Sequence, residues 1–134
     1  MNPYLDQLET RSPEAREAAL MARLPGHLAH AKSQSSWYAS ALAGIEPRDI
    51  KSRADLARLP VVRKHQLLEL QKRALPFGGL NATPLASLGR VFSSPGPIYD
   101  PEGRGEDWWR FGRPLYAAGF RAGELVHNTF AYHF

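Results

Sequence analysis

Between Arg90 and Gly103 the chain reads Arg-Val-Phe-Ser-Ser-Pro-Gly-Pro-Ile-Tyr-Asp-Pro-Glu-Gly, and no other stretch limits the fold so tightly. Arg90, Val91 and Phe92 start a strand that runs into a turn of small residues, Ser93 to Pro97. A short extended piece, Ile98-Tyr99, comes next, and a new helix is expected to open near Arg104 to Asp107. A strand that delivers hydroxyls, a glycine and free backbone N–H groups into one tight turn makes a seat for phosphate. Here Pro95 and Pro97 each remove a donor, and no lysine stands in the turn.

The residues before this turn read as short helices without a strand. Ser12-Pro13-Glu14 is a helix start, with a hydroxyl cap, proline at the first position and an acid near the positive dipole end. Leu20, Leu24, Leu28 and Ala31 then make one apolar face. Pro25 interrupts it, so the helix either kinks there or ends and restarts. Ser36 is expected to cap a helix from Trp37 to Leu42 that Gly44 ends. Ser52-Arg-Ala-Asp55 is a capping-box variant, and Pro60 closes the helix behind it. A further helix over Lys64 to Arg73 turns Leu67, Leu68 and Leu70 inward, and Pro76 with Gly78-Gly79 breaks the chain again.

The pattern changes after Gly89. The strand and turn precede a helix expected over Glu106 to Ala118, which Pro114 should bend or break. Trp108 and Trp109 cannot both face one side of it, so one should anchor the core and the other cover a surface. Glu124 to Phe134, rich in aromatic and β-branched residues, reads as a strand. Strand, helix, strand is one α/β unit, too few strands for a self-sufficient sheet. The expected fold class is therefore α/β, with a helical subdomain over 1–85 and the start of an incomplete α/β domain over 86–134. The chain stops at Phe134 in mid-strand, and we expect it to be the N-terminal piece of a longer protein.

With 134 residues the chain has the length of one domain. The absence of cysteine excludes disulfides and thiolate metal sites. There is no apolar run of membrane-spanning length and no secretory pattern at the start, so no membrane partner is expected and the cytoplasm is the expected compartment. The net charge is +4, and residues 48 to 73 carry eight Arg or Lys against three acids. That segment reads as a solvated helix face, and nucleic acid is not expected as a partner. His27 and His30 lie three apart on a helix with no third ligand in view, and no metal is assigned to them.

The order of these signals carries a resemblance. Leu8-Glu9-Thr10, the arginine-rich helix leading to Leu28-Ala29-His30-Ala31, Trp37-Tyr38, Ile50 to Pro60, Val62-Arg63-Lys64, Pro76-Phe77-Gly78 and the turn at Arg90 to Gly96 follow one another along nearly the whole chain. In that order they resemble the N-terminal part of the phenylacetate–CoA ligase family, within the adenylate-forming acyl-CoA synthetases. The resemblance implies an enzyme that uses ATP and Mg²⁺ to turn a carboxylic acid, of aromatic type, into an acyl-adenylate, and then passes the acyl group to CoA. The family's turn is a Ser-Ser-Gly-Thr-Thr-Gly-Lys-Pro type of loop that wraps the ATP phosphates. Ser93, Ser94 and Gly96 match it, whereas Pro95, Pro97, Ile98, Tyr99 and Asp100 stand where the threonines, second glycine and lysine are expected. A charged hydrogen bond contributes roughly 1.5–3 kcal/mol, so loss of the lysine alone weakens ATP about ten- to a hundredfold unless another cation substitutes. Arg104 is the nearest candidate by sequence.

The family also sets an aromatic, glycine-containing strand end beside the acyl group. Phe130-Ala-Tyr-His-Phe134 is similar to it, which makes Tyr132 and Phe134 the walls of an acid pocket and brings His133 to the carboxylate. The catalytic residues are expected beyond Phe134, so the chain alone should be inactive. The altered loop opens a second expectation, a non-adenylating relative that binds acyl-CoA, acyl-adenylate or a partner protein. An unfinished sheet with surplus aromatics also predicts self-association, as a homodimer.

Overall fold

The computed structural model describes residues 3–129. Five α-helices and one β-hairpin follow in the order α1 (Pro13–Gln34), α2 (Ser36–Ala41), α3 (Arg53–Leu56), α4 (Lys64–Arg73), β1 (Arg90–Ser94), β2 (Ile98–Glu102) and α5 (Gly112–Ala117). Single 3-10 turns lie at Gln7–Thr10, Pro47–Asp49 and Leu85–Ser87. The fold is helix-rich with one small sheet, within the α/β class expected. None of the described helices is long and apolar enough to cross a membrane.

The capping chemistry sets most helix starts. The Ser12 hydroxyl accepts from Ala15 N–H at the head of α1. Ser52 and Asp55 close a full capping box on α3. The cap of α2 is Ser35 rather than the expected Ser36, one residue earlier, because the Ser35 hydroxyl does two things at once. It accepts from Tyr38 N–H and donates to the Gly79 carbonyl at 2.7 Å. That carbonyl also takes Trp37 N–H at 3.1 Å. The turn at Gly78-Gly79 is thereby tied to the head of α2, and both glycines need it, with φ of +68° and +73°. An added Cβ at Gly78 would stand 2.8 Å from that of Leu70.

α1 runs unbroken through Pro25, and neither an end nor a restart occurs there. Proline removes only one N–H from a helix of 22 residues, and packing holds the rest. Leu28 from this helix meets Leu42 and Ile50 in the main core, with Leu24, Tyr38, Ile45 and Leu59 packed around them. Phe77, Leu88 and Ile98 are buried as well, outside that cluster.

β1 and β2 pair antiparallel from Arg90↔Glu102 to Ser94↔Ile98. The extended piece after the turn is thus the second arm of a hairpin. α4 packs on its outer edge, where Gln71, 4% exposed, donates to the Tyr99 carbonyl and accepts from Tyr99 N–H, both at 2.9 Å. Tyr99 turns both its backbone groups away from β1 to reach this amide. Pro101, two residues on, faces the same way and has no N–H to offer. The outer edge of β2 is closed by one glutamine and one proline.

Three expectations differ from the structure in this half. The helix expected over Glu106 to Ala118 is only Gly112–Ala117, preceded by turns. Asp107 and Arg110 take left-handed φ of 46° and 58°, which no helix continues. The later start also puts Pro114 in the first turn, where its missing N–H is no loss. Second, residues 124–129 form no strand, since none of the described residues offers them a partner; Phe130 to Phe134 lie outside the described residues. Third, neither Trp108 nor Trp109 reaches the core; they are 43% and 47% exposed.

Candidate functional site

The hairpin brings Ser93, Ser94 and Gly96 to one tip. Pairing continues to Ser94↔Ile98, so only Pro95, Gly96 and Pro97 connect the strands. Gly96 sits at φ +121°, and a Cβ there would meet nothing within 4 Å. Pro95, Gly96 and Pro97 are exposed, while Ser93 and Ser94 are half-buried. Side chains alternate across the strand, so the two serines point to opposite faces. Ser94 Oγ donates to the Ile98 carbonyl at 3.3 Å, across the turn, while the Ser93 hydroxyl has no partner among the described residues.

The register changes the meaning of the residues after Pro97. Ile98, Tyr99 and Asp100 belong to β2 and do not stand in the loop at all. The loop is therefore shortened rather than filled with wrong residues. Of its three residues, two are prolines, so Gly96 is the one backbone N–H donor it presents. A nest of successive N–H groups cannot form on one donor. Sequence reasoning missed this because strand pairing, not residue type, decides where a loop begins.

Arg104 lies past the other end of the hairpin. Four residue steps separate the tip pair Ser94↔Ile98 from the base pair Arg90↔Glu102, roughly 13 Å of strand, and Arg104 lies two residues beyond that base. The structure does not bring it together with Gly96. Glu102, two residues before Arg104, is itself paired. Arg90 faces it across the hairpin at 3.2 Å, and the Trp109 indole N–H donates to it at 2.6 Å. Phe92 then meets the Trp109 ring edge-on, with centroids 6.0 Å apart. Asp100 stays exposed on β2. The acid-pocket candidates Tyr132, His133 and Phe134 lie outside the described residues. Gln71 is the residue that sequence reasoning passed over; its only signal was its place four residues after Leu67, on the inward face of α4.

Part of the charge elsewhere is paired, some of it between distant segments. In the basic segment, Arg53 forks onto Glu17 with two bonds of 2.7 Å, Arg58 reaches Asp55 at 3.5 Å, and Lys72 holds Glu69 at 2.8 Å. Arg113 from α5 joins Asp6 at 2.6 Å and Glu9 at 2.8 Å.

No family model matches the chain. Individual proteins do. A phenylacetate–CoA ligase of Aromatoleum evansii is 32% identical over 137 residues, covering 96% of this chain and 30% of its own length. One from Thermus thermophilus is 32% identical over 138 residues, with the same coverage. The Escherichia coli enzyme of that name is 28% identical over 140 residues. The chain belongs to the phenylacetate–CoA ligase family. It spans about 30% of the length of these relatives, and it matches the N-terminal portion of an adenylate-forming ligase. Among solved structures, 2-hydroxyisobutyryl-CoA ligase in its postadenylation state, bound to 2-HIB-AMP, is similar with a TM-score of 0.63 and 30% identity, covering 69% of this chain and 20% of that one. The same ligase with 2-HIB-AMP and CoA in the thioesterification state has a TM-score of 0.63 and 29% identity over 71% of this chain.

Proposed function

We propose that this chain is the N-terminal part of an ATP-dependent acyl-CoA ligase acting on a carboxylic acid, of aromatic type. The acid's carboxylate attacks the α-phosphate of ATP, releasing pyrophosphate and forming an acyl-adenylate. The CoA thiol then attacks the acyl carbon and AMP leaves. In this reading residues 1–85 form a helical subdomain that supports the start of the AMP-binding domain, residues 86–134. The observation that carries it is the hairpin, which presents Ser93, Ser94 and Gly96 together at an open tip in a chain that matches acyl-CoA ligases along 96% of its length. Ser93 is the freer of the two hydroxyls and is the one we assign to phosphate. Arg104 has no part in that contact, given its place beyond the hairpin base. Tyr132, His133 and Phe134 are proposed to border the acid. Mg²⁺ would accompany the ATP phosphates, the setting is cytoplasmic, and the remaining two thirds of the family's length would supply the catalytic groups. The test is aryl-acid-dependent pyrophosphate release, measured on this chain and on a protein that carries it with that remainder. Release by the longer protein alone supports the proposal, and release by the 134-residue chain on its own refutes the division of labour.

One observation favours a second reading. A tip with one N–H donor and two prolines grips the outer phosphates poorly, which suits a relative that binds an acyl-adenylate, an acyl-CoA or a partner protein without making the adenylate. Calorimetry of the longer protein with ATP and Mg²⁺ separates the two: measurable ATP binding rejects the second reading, and its absence rejects the first. The exposed aromatics also support a homodimer, which sedimentation over a range of concentrations tests.

A further inference from the structure

Away from the hairpin tip, four parts of the chain converge on a cleft of about 340 Å³. Trp108 and Tyr38 form two of its walls, and Ala31, Leu80 and Leu88 give it apolar surface. His27 and His30, both exposed on α1, stand at its rim, and Asn81 and Thr83 edge it from the segment before the hairpin. The cleft is half-open and mostly apolar with a few convergent polar groups, and its volume falls at the lower end of the range of small-molecule sites.

The polar groups have spare capacity. Neither imidazole has a partner among the described residues, and nor does the Trp108 indole N–H, unlike that of Trp109. Asn81 uses one amide proton on the Thr83 carbonyl and keeps the other. Ser35, by contrast, is buried and fully committed to Gly79 and Tyr38. The lining also excludes ligands. Among the described residues no Asp or Glu lines the cleft to hold a cation, and no Lys or Arg lines it to hold a phosphate. No group of three or more His, Cys, Asp or Glu gathers for a metal.

We infer that this cleft binds an uncharged, one- or two-ring aromatic molecule that carries a carbonyl or amide edge. The ring lies between Trp108 and Tyr38, where aromatic pairing and apolar burial act together. The carbonyl edge takes donors from the imidazoles and the Asn81 amide. The site needs neither ATP nor the three residues of the hairpin tip, so its existence does not depend on the ligase reading.

The test uses the 134-residue chain and amide-detected NMR titration, with benzamide as the probe and benzoate and benzylamine as charged counterparts. Benzamide should shift the Trp108 indole N–H and the Asn81 side-chain amide together, with a dissociation constant on the order of 1 mM, as for a small fragment. Trp108→Leu should weaken it about five- to tenfold. Trp108 also packs on Gly103, so the double variant His27→Ala/His30→Ala, at exposed helix positions, gives a second arm that leaves the fold alone and should also lose affinity severalfold. Leu125→Ala, at a fully exposed residue outside the cleft, should leave binding unchanged. No shift at any soluble benzamide concentration overturns the inference. So do shifts that map elsewhere, binding that both cleft variants leave intact, or binding of benzoate or benzylamine as tight as that of benzamide.

Discussion

Gln71 is the most informative residue to change. Its amide stands in for a neighbouring strand, giving one donor and one acceptor to Tyr99 at 2.9 Å each. Gln71→Leu keeps most of the volume and removes both partners. Each hydrogen bond contributes roughly 1 kcal/mol net, and the orphaned Tyr99 N–H and C=O add desolvation on top, so the expected loss is about 2–4 kcal/mol. With a urea slope of about 2 kcal/mol per molar, the middle of the usual range, the unfolding midpoint should fall by roughly 1–2 M. Hydrogen exchange locates the loss. If exchange at Tyr99 follows the opening of the hairpin from α4, its protection should drop roughly 30- to 1,000-fold, at about 1.4 kcal/mol per factor of ten. Backbone amides in α1 should lose no more than the global change. A midpoint shift below about 0.3 M, with Tyr99 protection unchanged, would refute the view that one glutamine docks the hairpin on α4.

Gly103→Ala should force Trp108 off its seat, because a Cβ at Gly103 runs into the indole ring; a loss of about 1–3 kcal/mol and a changed Trp emission spectrum are expected. Ser35→Ala removes both the α2 cap and the bond to the Gly79 carbonyl, and should lower stability by about 1–3 kcal/mol in urea unfolding. The Arg113 guanidinium, hydrogen-bonded to Asp6, holds that carboxyl below its ordinary range. Its folded value lies below the unfolded value of about 3.9, so the Asp6 contribution is present above that pH and is lost as pH falls through the folded value. Carboxyl-detected NMR should find the Asp6 midpoint depressed in the natural chain and raised again in Arg113→Met; equal midpoints in the two would remove Arg113 as the cause.

The local signals in the sequence were those that short-range chemistry controls. Ser12-Pro13-Glu14 and Ser52 to Asp55 start helices because a hydroxyl or carboxylate meets backbone N–H groups two or three residues away, whatever surrounds them. The strand at Arg90 and the break at Gly78-Gly79 were legible from residue type, a β-branched and aromatic run and two glycines, and the order of motifs along the chain pointed to its family. The structure decided what depends on distant partners. Whether Ile98 to Glu102 are loop or strand depends on what β1 can pair with, and that pairing cut the phosphate turn to Pro95-Gly96-Pro97. The helix expected from Glu106 gave way to turns in which Trp109 reaches back to Glu102 and Phe92. Gln71 went unnoticed in the sequence because its partner, the Tyr99 backbone, lies 28 residues away. By itself the sequence determined where helices and turns begin and which family the chain resembles. Only the tertiary structure decided how many donors reach the tip, because backbone hydrogen bonds are claimed by whichever segment lies alongside.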